Sequence, residues 1–125
     1  MRVYSMVRPK KLSEMPEAMA RAERLGYDGT TLLELTVPPT LSAAAGAMLT
    51  KEIKMMSGVF VAFPRSPMAT AYDAWSLNEL SGGRFQLGIG SQIKAHLTRR
   101  FGMEYLPVIR RMKDYINALN AIWDC

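Results

Sequence analysis

The chain has 125 residues, 49% of them apolar and 22% charged, with a formal net charge of +5. This composition supports one globular core, excludes a disordered polymer, and contains no apolar run long enough to cross a bilayer, so no membrane partner is expected. The single cysteine, Cys125, excludes an internal disulfide, and with no secretory apolar core after the basic start a cytoplasmic location is the expectation.

Val3 to Val7 is a short apolar run that predicts a first strand. Ser13 is the expected N-cap of a first helix, with Glu14 and Glu17 favourably placed in its first turn. Met15, Ala18, Met19, Ala22 and Leu25 keep helical spacing, and Gly26 supplies the stop. A second strand is predicted over Asp28 to Leu35, broken by Pro38-Pro39. The alanine-rich run Leu41 to Leu49 predicts a short buried helix, in which Gly46 permits close approach of a neighbour.

Ile53 to Phe63 is the predicted third strand. Ser66-Pro67 is a cap followed by proline at the first helical position, and Met68, Ala71, Tyr72, Trp75 and Leu80 are expected to line the buried face of the helix it opens. Gly82-Gly83 stops that helix, Phe85 to Ile89 forms a fourth strand, and a polar loop follows. Pro107 opens a last, amphipathic helix with Val108, Met112, Tyr115, Ile116, Leu119, Ile122 and Trp123 on one stripe.

Alternating strands and helices with short linkers predict one α/β domain over residues 1–125, a parallel sheet covered by helices. Four strand–helix units make either a small doubly wound sheet or half of a (β/α)₈ barrel. In both, ligands bind at the C-terminal tips of the strands. The glycines of Gly88-Ile89-Gly90-Ser91 sit at such a tip and fit a backbone nest for an anionic group. Glu34 ends the second strand: it is either a group that positions a ligand or moves a proton, or a solvated loop carboxylate. His96 is the only histidine, in a basic loop with Lys94, Arg99 and Arg100; it is either a surface residue or a contact for an anionic tail. No second histidine or cysteine stands at ligand spacing, so no metal is expected. The basic pairs Lys10-Lys11, Arg99-Arg100 and Arg110-Arg111 do not alternate with aromatics, so no nucleic-acid partner is expected either.

The stretches Ala22-Glu23-Arg24-Leu25-Gly26-Tyr27-Asp28-Gly29, Arg65-Ser66-Pro67, Leu80-Ser81-Gly82-Gly83-Arg84-Phe85-Gln86-Leu87-Gly88-Ile89-Gly90-Ser91-Gln92, Ala95-His96, Arg99-Arg100-Phe101-Gly102 and Arg111-Met112 occur in one order along nearly the whole chain. In this the sequence resembles the luciferase-like monooxygenase superfamily, and within it the oxidoreductases that use the deazaflavin coenzyme F-420. The resemblance implies parallel (β/α) units of a TIM-barrel-type fold, about four of them, as the N-terminal half of a (β/α)₈ barrel. It implies a flat cofactor, F-420 or alternatively FMN, at the mouth of the strands, with hydride transfer to or from a small organic substrate. A non-proline cis peptide in the third strand falls by match on Gly58-Val59, forming a bulge that backs the ring. Without the resemblance, Gly58 reads simply as a site of tight packing. Gly88, Gly90, Ser91, Gln92 and His96 fall on the cofactor side by the same match, and Glu34 on the catalytic one.

Two departures accompany the likeness. Val37 and Pro38 stand where related sequences carry a histidine and an acidic residue, and apolar side chains exchange no protons. The chain is also less than half the length of such enzymes. A half-barrel leaves two strand edges unpaired and an apolar interior exposed, so self-association into a homo-oligomer is expected. A fragment that forms part of a longer enzyme is an equal expectation, and a catalytically silent half-barrel, serving as a structural or oligomeric subunit, is the alternative to an enzyme.

Overall fold

The computed structural model describes residues 1–125. In chain order its elements are β1 (Tyr4–Val7), α1 (Met15–Arg24), β2 (Gly29–Leu32), α2 (Pro39–Ala47), β3 (Lys54–Ser57), β4 (Phe60–Val61), α3 (Pro67–Leu80), β5 (Phe85–Gln86), β6 (Ile89–Gly90), α4 (Lys94–Phe101) and α5 (Val108–Trp123). All strand pairs are parallel: β1-β2-β3-β5 form one sheet, and β4-β6 continue it as a two-stranded extension. This is the parallel α/β arrangement expected from the alternation of strands and helices, in the half-barrel form that the resemblance implies. No helix is long and apolar enough to cross a membrane.

The sheet carries its helices on one side. Leu32, Met55 and Phe85 point into that layer and pack with Met15, Met19, Ala43, Ala47, Ala74 and Leu77. A second cluster lies nearer the strand tips, where Val61, Ala62 and Phe63 meet Ala71, Leu97, Tyr115 and Leu119. Gly46 sits where α2 crosses α1: a Cβ there would strike the Met19 thioether. Such overpacking typically costs about 1–3 kcal/mol.

Several boundaries differ from the sequence reading, each for a physical reason. Ser13 does not cap α1; Leu12–Glu14 forms a 3-10 turn and the helix begins at Met15, with Pro16 confined to its first turn. The second strand ends at Leu32, because the chain then turns inward to bury Glu34. Pro39 is the first residue of α2 instead of part of a break, since its fixed φ suits that position while it holds Pro38 extended.

The third and fourth strands are each split in two. The polar loop contains α4, closed by Gly102 in the left-handed region at φ 63°. The face of α3 is also rotated from expectation. Thr70, Ala71, Ala74 and Leu77 are buried, whereas Met68, Tyr72, Trp75 and Leu80 face solvent. Small side chains let α3 approach the sheet, and the Thr70 hydroxyl meets the buried Tyr115 hydroxyl at 2.5 Å. On α5 the predicted stripe holds at Tyr115 and Leu119, while Ile116 and Trp123 are exposed.

Candidate functional site

The split strands create the most irregular backbone in the molecule, at the tip end of the sheet. Before the break Met56 pairs with Gln86, and after it Phe60 pairs with Ile89. The offset falls from 30 to 29, so the third strand carries one extra residue there. That is a β-bulge, a device that bends a strand and re-aims its side chains. The Gly58-Val59 peptide inside it is cis, at the bond expected from the resemblance.

Side chain and backbone hold the bulge from both strands. The Ser57 hydroxyl donates to the Gly88 carbonyl at 2.9 Å and accepts the Gly88 N–H at 2.8 Å, replacing a ladder rung. Gly88 is required by this approach, because a Cβ would strike the Ser57 carbonyl oxygen. At Gly90 a Cβ would come within 2.9 Å of the Val59 side chain, and at Gly58 within 2.5 Å of Thr31 Cγ2. Gly58, Val59, Gly88 and Gly90 therefore form one ledge, on which Val59 remains 37% exposed. Ser91 and Gln92 continue from that ledge, half-buried, with Gln92 at φ 63° and its side-chain oxygen accepting the Ile93 N–H.

Glu34 is neither solvated nor free. It is 7% exposed, accepts the Val61 N–H at 2.6 Å, and pairs with Arg65 through both carboxylate oxygens, at 2.6 and 3.2 Å. Arg65 also donates to the Val61 carbonyl and lies over the fully buried Phe60 ring at 4.1 Å. The loop carboxylate thus fixes the tip of β4, one residue past Phe60. The solvated alternative for Glu34 is overturned by its burial.

The basic loop is also more occupied than its sequence suggests. Arg100 donates to the Leu35 carbonyl, tying α4 to the loop after β2. Lys94 lies over the Tyr105 ring at 5.8 Å. His96 is exposed in the first turn of α4 and makes no side-chain hydrogen bond, so nothing joins it to the ledge. Val37 and Pro38 sit half-buried on the β2–α2 connection, the latter as the residue before α2.

Ser57 and Arg65, which hold this candidate site together, are residues that the sequence reading left unassigned. A serine in a strand gives no local sign that it clasps a residue 31 positions away. Arg65 did have a signal, the Arg65-Ser66-Pro67 run after the third strand, but its partner is equally distant in sequence.

Residues 2–124 match the family described as luciferase-like monooxygenase. An uncharacterised protein of Mycobacterium tuberculosis is 36% identical over 115 residues, covering 92% of this chain and 34% of that protein. The 5,10-methylenetetrahydromethanopterin reductase of Archaeoglobus fulgidus is 33% identical over 76 residues, 61% of this chain and 23% of the reductase. The chain thus spans about a third or less of the length of these relatives. Among solved structures, the FMN-bound oxygenating constituent of 3,6-diketocamphane monooxygenase from Pseudomonas putida superposes with a TM-score of 0.85. It is 18% identical, over 98% of this chain and 40% of that one. The coenzyme F-420-dependent tetrahydromethanopterin reductase of Methanopyrus kandleri gives 0.74 at 22% identity, over 83% of this chain and 30% of that one. With nearly the full sequence matched and the fold shared with these structures, the chain belongs to the luciferase-like monooxygenase family.

Proposed function

We propose that this chain forms the cofactor-platform half of an oxidoreductase that transfers a hydride between a deazaflavin or flavin and a small organic substrate. The ledge at the bulge is the observation that supports this reading. A tricyclic ring needs an apolar surface free of protruding side chains, and Gly58, Gly88 and Gly90 remove three side chains around the exposed face of Val59. The residues present fit such a ring. F-420 is favoured by the methanopterin reductases among the relatives, and FMN by the camphane monooxygenase neighbour.

When bound, the ring system supplies the hydride acceptor or donor; the protein supplies position. Gly58 and Val59 would back the ring, with Gly88 and Gly90 leaving room beside it. Ser91, Gln92 and the exposed His96 would line the exit taken by the polar tail. Glu34 would act here as a positioning group, since Val61 and Arg65 occupy its oxygens. No carboxylate is left free beside it to carry a proton, and Val37 and Pro38 carry none.

That last point favours a second reading, a catalytically silent half-barrel. Fluorescence titration of the folded chain with F-420 and with FMN separates the two. Saturable binding of either supports the platform, and Gly90→Val should weaken it at least tenfold while lowering stability much less. Parallel losses of binding and stability would reduce Gly90 to a packing role. No binding of either compound would favour the silent half-barrel.

A further inference from the structure

Several cations near the strand tips are already occupied. Arg65 pairs with Glu34, Arg100 donates to the Leu35 carbonyl, Lys94 lies over the Tyr105 ring, and Arg111 lies over the Phe63 ring at 4.4 Å. Arg8 and Lys10, just past the tip of β1, are different: neither forms an ion pair. Glu14 is the acid nearest to them in sequence. It accepts the Lys10 backbone N–H at 3.2 Å and pairs with neither charged group.

Both line a cavity of about 120 Å³ between the loops that follow β1 and β2. Val7, Leu33, Leu35 and Val37 give it an apolar wall, and its lining holds no carboxylate. Ser42 of α2 lines it too; that residue is 1% exposed, and its hydroxyl has no hydrogen-bond partner in the chain. Buried hydroxyls are normally bonded, so this one is an unused donor. Two unpaired cations, a spare donor and an apolar wall are complementary to a small anion on a short hydrocarbon stem. The volume agrees. Clefts for drug-sized ligands begin at ~300 Å³, so this one takes a head group and a few carbons and excludes a tricyclic ring.

The cavity is tied to the ledge through Glu34. Leu33 and Leu35 flank that residue, which accepts the Val61 N–H two residues past Val59. In the strand order the cavity lies at the β1–β2 end, whereas Ser91 and Gln92, where the polar tail would leave, follow β6 at the other. We infer that the cavity seats the anionic end of the organic substrate, a carboxylate or phosphate on a short apolar stem, and that Arg8 and Lys10 select it. That the occupant is the substrate rests on the cofactor-platform reading; the anion seat does not.

Amide NMR titration of the folded chain with butyrate, and with neutral butanol as the control, tests the seat without catalysis. Butyrate should move the amides of Arg8, Lys10, Leu35, Thr36 and Ser42 saturably, and butanol should bind at least tenfold more weakly. Arg8→Gln and Lys10→Gln should each weaken butyrate at least threefold. Ser42→Ala should weaken it with no loss of stability, since the hydroxyl gives up no bond in the free chain. Arg110→Gln, on α5 outside the cavity, should change nothing; a loss as large as that of Arg8→Gln would mean diffuse attraction to net charge and overturn the seat. Repeating the titration with saturating F-420 or FMN separates the two sources of anion. Butyrate shifts that persist beside bound cofactor support a substrate seat, whereas shifts that either cofactor abolishes would assign the cavity to the cofactor tail and overturn it. Cofactor binding without butyrate binding would overturn the seat alone. Butyrate binding with neither cofactor bound would overturn the platform, and with it the identity of the occupant as substrate.

Discussion

The two ends of the half-barrel use the same pair of residue types to opposite effect. Where the strands begin, Glu23 accepts the N–H groups of Lys51, Glu52 and Ile53 on one oxygen, at 2.9, 2.6 and 2.9 Å. Arg84 donates to the carbonyls of Ala47, Thr50, Ile53 and Ser81 and to the Thr50 hydroxyl. Where the strands finish, Glu34 and Arg65 bind each other and touch the backbone only at Val61. Charge at the beginning of the strands closes off backbone groups that would otherwise lie unpaired near the C-terminal end of α2. At the finish it pins one strand tip and leaves the ledge open. The difference teaches why a TIM-barrel-type fold keeps stability at one end and chemistry at the other.

Arg84→Ala should have the largest effect, about 3–4 kcal/mol in urea unfolding, since it strands several buried acceptors at once. Arg84→Lys should recover only a fraction of this, because an ammonium cannot reproduce the fork. A loss under about 1 kcal/mol for Arg84→Ala would remove the clamp from the comparison. Glu34→Gln comes next, at about 2 kcal/mol, because Arg65 is left with a neutral partner but keeps some access to solvent. It should also loosen F-420 or FMN binding beyond what its stability loss explains, whereas Arg84→Ala should not.

Ser66→Ala removes the cap that accepts the Ala69 N–H at the mouth end of α3, and should cost about 1 kcal/mol with no pH dependence. The subtlest effect belongs to Glu23. Burial pushes its carboxyl up, but the amides of Glu52, Ile53 and Lys51 and the charge of Arg84 outweigh this and hold it below the ordinary 4.5. A carboxyl lowered by folding adds stability above its unfolded value, and loses it as the pH falls through the folded one. The melting temperature should therefore drop more steeply on acidification below pH 4.5 in the wild-type chain than in Glu23→Gln.

The strand–helix order was legible because its punctuation is local. Gly26, Gly82 and Gly83 occupy positive φ where the helices stop, and Ser66 accepts the hydrogen bond its place before Pro67 suggested. The bulge ledge was legible only through resemblance: nothing within Ser57-Gly58-Val59 reveals that Gly88 faces it. α4 was missed although Arg99, Arg100 and Gly102 form a readable helix ending. Its eight residues bury only Leu97, so no apolar stripe announces it. The face of α3 was misjudged because hydrophobicity ranks Tyr72 and Trp75 above Thr70 and Ala74, while close packing against a sheet ranks them the other way.

The thioether core beneath the sheet gives the molecule a chemical clock. Met15, Met19 and Met55 are buried among the first helices, whereas Met1, Met6, Met48 and Met68 are exposed. Oxidation to sulfoxide makes an apolar side chain polar and requires contact with the oxidant. The exposed methionines should react with peroxide at once, and the buried three only as often as the helical layer lifts from the strands. Their delay, read by mass spectrometry, would time the opening of this half-barrel without any added label.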